Sequence, residues 1–213
     1  MKSVVVVDYG VVNLKNILRG FEHIGASVKS SSDPSLLQAA DRVVLPGVGA
    51  FASGMSELRS FGLDDAIRSL VENERPILGI CLGMQMLLDR SSEHGDHEGL
   101  GVIPGEVLPI PNSQNGLIQR KIPHIGWNAL NFAANREHWD DSCLDKTLPG
   151  DYYYFVHSYM AVPKNQDSVL ATCDYEKATI IAAIKSGNTT GLQFHPERSG
   201  PSGLKILRQF LRV

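Results

Sequence analysis

Three residues, far apart in a chain of 213, have the types and spacing for acyl-transfer chemistry. Cys81 is the centre of Gly79-Ile80-Cys81-Leu82-Gly83, where the apolar run Pro76–Ile80 meets a stretch of helical spacing. A strand that turns sharply into a helix exposes a nucleophile at the bend, and flanking glycines leave room for the tight backbone. The N-terminus of the following helix favours thiolate over thiol through its free N–H groups and dipole. Those N–H groups, that of Leu82 especially, are placed to bind an oxyanion. By itself the pattern fits a small buried cysteine in a tight strand–helix turn equally well, so a partner base has to decide.

That partner lies in GLQFHPERSG, residues 191–200. His195 precedes Pro196, which biases its backbone towards extended geometry. Residues i and i+2 of an extended segment face the same way, so Glu197 can lie beside the imidazole and fix one ring nitrogen. The other nitrogen is then free to take a proton from Cys81. A lone His-x-Glu is usually a surface pair. Together with a cysteine at a bend, Cys81, His195 and Glu197 are expected to act as nucleophile, base and orienting carboxylate.

Strands and helices must deliver these groups. Val4–Val7 reads as a buried parallel strand and Leu14–His23 as a helix after a turn at Tyr9–Gly10. Arg42–Leu45 is a second strand, ended by Pro46–Gly47. Ser56–Glu74 is expected to be helical despite Gly62, Pro76–Ile80 to be a strand and Leu82–Arg90 a helix. This alternation predicts a doubly wound α/β sheet. From about Glu106 the pattern changes to β-like runs at Tyr152–Met160, Thr179–Lys185 and Gly191–Phe194. Ser186-Gly187-Asn188 is expected to be a hairpin turn between the last two, and Leu204–Leu211 a closing helix. The whole is expected to form one domain, residues 1–213, with a mostly parallel central sheet and an antiparallel portion in its C-terminal half.

Composition narrows the chemistry. Net charge is −3 with no clustered Lys/Arg stripe, which argues against nucleic acid as the main partner. No stretch approaches the roughly 20 apolar residues of a membrane helix, and MKSVVVVDYG is too short in its apolar run for a signal peptide. Three cysteines, Cys81, Cys143 and Cys173, make an odd number with no C-x-x-C pair. That pattern argues against a disulfide framework or a zinc cage and predicts a cytosolic protein. His94 and His97 in EHGDH are best read as a solvated loop, so no metal site is expected. SGPSGLK lacks the P-loop pattern, and no cofactor is expected.

GICLGMQ followed much later by QFHPE resembles the class I, or triad, glutamine amidotransferases, whose flavodoxin-like fold agrees with the reading above. Within them, DYGVVNLKN, LPGVGAF, GLGVIPGEV, PHIGWN, YYYFVHSY and QFHPERSG resemble the glutaminase-subunit family of imidazole glycerol phosphate synthase, in order and over essentially the whole chain. The resemblance implies that Cys81 attacks the side-chain amide of glutamine, that His195 serves as base and then acid, and that Glu197 orients it. It implies that the ammonia passes into a (βα)8 cyclase partner, forming imidazole glycerol phosphate and an aminoimidazole carboxamide ribotide in histidine biosynthesis.

The resemblance also assigns the turn Gly47, Val48, Gly49 to the second half of the oxyanion hole, and two glycines would let a peptide there reorient. Gln85, one helical turn after Cys81, is expected to contact substrate or brace that strand, the alternative being a solvated helix residue. The backbone of His157, Ser158 and Tyr159 is expected to hold the α-amino and carboxylate groups of glutamine. Asn13, Trp127 and Arg198 are expected to face the partner. Val12 and Asn16 stand where the family usually has glycine and serine, which leaves partner identity open. The runner-up is a paralogous glutaminase feeding an N-acetyl sugar amidotransferase. Weaker readings are a partner-free cysteine hydrolase and a non-catalytic regulatory subunit.

Overall fold

The computed structural model describes residues 3–10, 12–114 and 118–213. Met1, Lys2 and Val11, the last within DYGVVNLKN, lie outside the described residues.

The first half alternates strand and helix. It runs β1 (Ser3–Val7), α1 (Leu14–His23), β2 (Ser27–Ser31), α2 (Pro34–Gln38), β3 (Arg42–Leu45), α3 (Phe51–Ser60), α4 (Leu63–Glu72), β4 (Ile77–Ile80) and α5 (Leu82–Met86). Then come β5 (Leu88–Ser91), β6 (His97–Glu98), β7 (Ile103–Pro109), β8 (Ser113–Gln114), β9 (Ile118–Gln119), β10 (His124–Ala129) and β11 (Asn131–Phe132). The chain closes with β12 (Tyr152–His157), β13 (Tyr159–Pro163), β14 (Val169–Tyr175), β15 (Ala178–Ser186), β16 (Thr189–Leu192) and α6 (Gly200–Phe210).

The main sheet has the order β11-β14-β15-β16-β4-β3-β1-β2. From β2 to β16 neighbouring strands are parallel, and from β16 to β11 they are antiparallel. This is the mixed α/β architecture expected from the sequence. Helices cover both faces, so β1 buries every valine. Val4 and Val6 pack with Ile17, Phe21, Leu207 and Phe210 of α1 and α6 on one face. Val5 and Val7 pack with Leu37, Met55, Leu58, Ile67 and Leu70 of α2, α3 and α4 on the other. The two faces follow directly from the two-residue period of a strand.

Four adjacent parallel strands deliver the candidate residues at their carboxyl ends, where open α/β sheets form their crevice. Asn13 follows β1, Pro46–Gly49 follow β3, Cys81 ends β4, and Gln193 to Glu197 follow β16. A second sheet, β13-β7-β5-β6, and the ribbon β10-β12 close the other side.

Several boundaries differ from expectation. The helix expected over Ser56–Glu74 is two helices, α3 and α4. Gly62 takes the left-handed conformation (φ +64°) and lets the chain turn between them. The helix expected over Leu82–Arg90 stops at Met86, and Leu88–Ser91 pairs with β7 instead. Apolar residues there, Met86, Leu87 and Leu88, are all fully buried, so the run has no polar face to mark its period. The run Tyr152–Met160 is split at Ser158, with β12 pairing β10 and β13 pairing β7. SVKSS, β2, carries few apolar residues and was not foreseen; it is the polar edge strand of the sheet. The hairpin turn at Ser186-Gly187-Asn188 is present, with Gly187 at φ +53°. EHGDH, expected to be a solvated loop, ends in a strand residue, since His97 pairs with Ser91 in the antiparallel pair β5-β6.

Candidate active site

Cys81 sits at the bend itself. Its φ of +54° and ψ of −110° place a non-glycine residue in strained backbone between β4 and α5. The flanking glycines serve close approach. A Cβ on Gly83 would lie 1.9 Å from the carbonyl oxygen of Leu45, and one on Gly79 would lie 2.8 Å from that of Gly83. α5 is therefore seated directly on the ends of β3 and β4. Cys81 is 6 % exposed and opens onto a cavity of about 390 Å³. Val48, Gly49, Leu82, Gln85, His157, Ser158 and Tyr159 line the same cavity, so residues expected to serve substrate binding gather around the thiol. Glu93 lines it too, with Oε2 accepting from the Phe51 N–H at 2.6 Å.

His195 stands behind the sulfur, held by its backbone N–H on Tyr154 O. Its Nδ1 lies 2.7 Å from Glu197 Oε1, and both side chains are buried. The route differs from the sequence argument. His195 is extended (φ −103°, ψ 94°), but Pro196–Arg198 form a 3-10 turn, and that turn rather than a strand brings Glu197 back to the ring. Burial pushes the imidazole pKa down. The Cys81 sulfur and then the Glu197 carboxylate push harder the other way, and it stands at about 10. At neutral pH the ring carries its proton. Its Nε2 is buried without a hydrogen-bond partner, and the sulfur is near enough to raise the pKa of the ring.

Asn13, expected on the partner face, donates from Nδ2 to the same Glu197 Oε1 at 2.6 Å, and Asn16 Nδ2 donates to Asn13 Oδ1 at 2.7 Å. Gln85 is no solvated helix residue. It is buried and donates to Tyr159 O at 2.9 Å and Gln193 Oε1 at 3.1 Å.

The Leu82 N–H, the expected oxyanion donor, is occupied by Gly47 O at 3.3 Å. That turn is tightly framed. A Cβ on Gly47 would meet Leu82 Cβ at 2.7 Å and the Gly83 nitrogen at 2.8 Å, and Gly49 has φ +109°. Tyr9 OH donates to Pro46 O at 2.6 Å, and burial and Cys81 raise its phenol pKa well above the ordinary value.

Trp127 is half-exposed and meets Tyr154 edge-on at 6.1 Å, while the Arg198 guanidinium lies 4.4 Å from the centre of the Tyr154 ring. These residues, with exposed Ile125 and Tyr152, make one aromatic surface on the β10-β12 ribbon. Cys143 and Cys173 are buried away from the cavity, and desolvation pushes each thiol up to about 12. Among the described residues no helix is long and apolar enough to cross a membrane, and no three His, Cys, Asp or Glu gather as a metal site would need.

Sequence reasoning missed Tyr9, Glu93, His124, Asn128 and Gln193. His124 and Asn128 gave one usable signal, since four residues apart on a strand they share a face. Only the fold brings the others to the site.

Known proteins resemble the chain along its length. Imidazole glycerol phosphate synthase subunit HisH 1 of Legionella pneumophila (strain Lens) is 46 % identical over all of both chains. The chloroplastic imidazole glycerol phosphate synthase hisHF of Arabidopsis thaliana is 44 % identical over 98 % of this chain and 34 % of that protein. Among solved structures, PurLQS from Thermotoga maritima shares the fold with a TM-score of 0.73 at 22 % identity, covering 100 % of this chain and 99 % of that one. The profile of class-I glutamine amidotransferases matches residues 5–213. A bent, buried thiol backed by an imidazole and a carboxylate is the chemistry that such a family requires, and the chain belongs to the class-I glutamine amidotransferases.

Proposed function

We propose that this chain, as one amidotransferase domain, is the glutaminase subunit of an imidazole glycerol phosphate synthase in histidine biosynthesis. The observation that carries the chemistry is the Cys81 sulfur, presented to a cavity by a strained bend and backed by a protonated His195 that Glu197 holds. The full-length likeness to HisH supports the pathway.

The geometry suggests the course of the reaction. The thiolate attacks the carbonyl carbon of the glutamine side-chain amide, and a tetrahedral oxyanion forms. His195 gives its proton to the leaving nitrogen, ammonia departs and a glutamyl thioester remains. Water, deprotonated by the now neutral His195, attacks the thioester and releases glutamate and the thiolate. With a pKa near 10, His195 carries a proton at neutral pH that it can give to the leaving nitrogen.

The oxyanion needs donors that this conformation does not present. Rotating the Gly47–Val48 peptide would remove Gly47 O from the Leu82 N–H and turn the Val48 N–H towards the site, giving two donors at once. A partner that drives the rotation would switch glutamine hydrolysis on. The ammonia is used by a (βα)8 cyclase subunit; the Arabidopsis relative, about a third of which this chain matches, bears the joined name hisHF.

The test is Cys81→Ser mixed with the cyclase. Synthesis from glutamine should vanish while synthesis from ammonium salt persists. A glutamine-dependent rate near wild type would sink the thiol mechanism, and stimulation only by an N-acetyl sugar amidotransferase would sink the pathway assignment.

A further inference from the structure

We propose that Gln193 is a further catalytic residue, whose side-chain amide N–H holds the Cys81 sulfur as a thiolate, and that Gln85 is the positioning residue that keeps that N–H aimed. The proposal rests on Cys81 being the nucleophile. Gln193 is fully buried, with Nε2 3.7 Å from Cys81 Sγ.

The argument turns on which end of each amide faces which neighbour. The carbonyl oxygen of Tyr159 can only accept, so the Gln85 nitrogen must face it, at 2.9 Å. The second proton of that nitrogen reaches Gln193 Oε1 at 3.1 Å. With its oxygen engaged, Gln193 presents its nitrogen to the sulfur. A donor therefore faces Cys81, and the reversed amide would set an oxygen against it.

The far side of Tyr159 O is equally determined. It accepts from His157 Nδ1 at 2.9 Å, which leaves His157 Nε2 as an acceptor for His124 Nδ1, also at 2.9 Å. His124 Nε2 then accepts from Asn128 Nδ2 at 2.6 Å. Donor directions agree from Asn128 to Tyr159 and from Tyr159 to Cys81. Both imidazoles stay neutral because burial lowers their pKa to about 4 for His124 and about 3 for His157.

Two groups compete for the state of the sulfur. Val156 O lies 3.9 Å from the sulfur and would accept a thiol hydrogen, which favours the protonated form, and the Gln193 N–H favours the ionised one. The other titratable groups around the sulfur are His195 with Glu197 behind it, Tyr9, and His157 and Glu93 on the cavity wall.

The test is the pH dependence of Cys81 alkylation by iodoacetamide in the whole chain, read by peptide mass. Gln193→Met keeps the length and removes the N–H. Gln85→Met leaves Gln193 in place but frees its amide to turn. Both should alkylate about tenfold more slowly at neutral pH, the effect of one donor lost from a charged acceptor. Both should reach the wild-type plateau at higher pH. Folded variants whose profiles superimpose on wild type would overturn the proposal. Should neither variant fold, the Gln193 side-chain amide resonance of the unsubstituted protein must move as the sulfur titrates and stop moving once Cys81 is alkylated; an amide indifferent to both overturns the proposal. Glutamine turnover after alkylation separates the two readings. If it survives, Cys81 is not the nucleophile; if it is lost while the variant profiles match wild type, only the role of Gln193 fails.

Discussion

Asn13→Ala removes one of two donors from a fully buried carboxylate. Glu197 Oε1 accepts from His195 at 2.7 Å and Asn13 at 2.6 Å, while Oε2 is buried with no partner. A hydrogen bond to a charged group is worth about 1.5–3 kcal/mol, and 1.4 kcal/mol is tenfold in rate. Asn13 is only partly buried, so water replaces some of what is lost, and the lower end applies: kcat for glutamine should fall about tenfold. KM should change little, because Asn13 does not line the cavity. Asn13→Asp should fall further, since it sets a second carboxylate against Oε1. Glutamate release is measured with the cyclase partner present, and thermal unfolding confirms the fold. A folded Asn13→Ala enzyme with wild-type kcat would refute the reasoning that Asn13 holds Glu197 for His195.

Acid should destabilise the fold before carboxylates titrate. His124 and His157 take up protons near pH 6.5 when unfolded but resist them when folded, so their contribution is present above pH 6.5 and lost as pH falls towards their folded values of about 4 and 3. Each costs about 1.4 kcal/mol per pH unit in that window. The melting temperature should fall between pH 6.5 and 5, and a flat profile there would contradict the buried neutral pair. Gly83→Ala should abolish the native seat of α5, since its Cβ would lie 1.9 Å from Leu45 O, a backbone atom that cannot step aside. A melting temperature within a few degrees of wild type would show that contact to be loose.

What was legible in the sequence, and what was not, has physical causes. Cys81 could be read because a sharp strand–helix bend needs glycine on both sides, and His195 with Glu197 because a proline marks the backbone between them. The parallel strands β1, β3 and β4 could be read because burial on both faces makes them continuously apolar. The end of α5 could not, because Met86 to Leu88 are buried in helix and strand alike. β2 could not, because an edge strand tolerates serine and lysine. Gln193 stood in plain view two residues before His195, yet only the pairing of β16 with β4 shows that it faces the sulfur. The contact of Asn13, expected to face the partner subunit, with Glu197 could not be read because the two lie 184 positions apart.

The central claim is that one thiol of three does the chemistry. Incubating the protein with a glutamine-mimicking electrophile and mapping the adduct by mass tests it directly. One label per chain is expected, on Cys81, with glutamine turnover lost in proportion, while Cys143 and Cys173, buried and held protonated, stay unmodified. Label confined to Cys143 or Cys173, or full turnover by protein labelled at Cys81, would contradict the account.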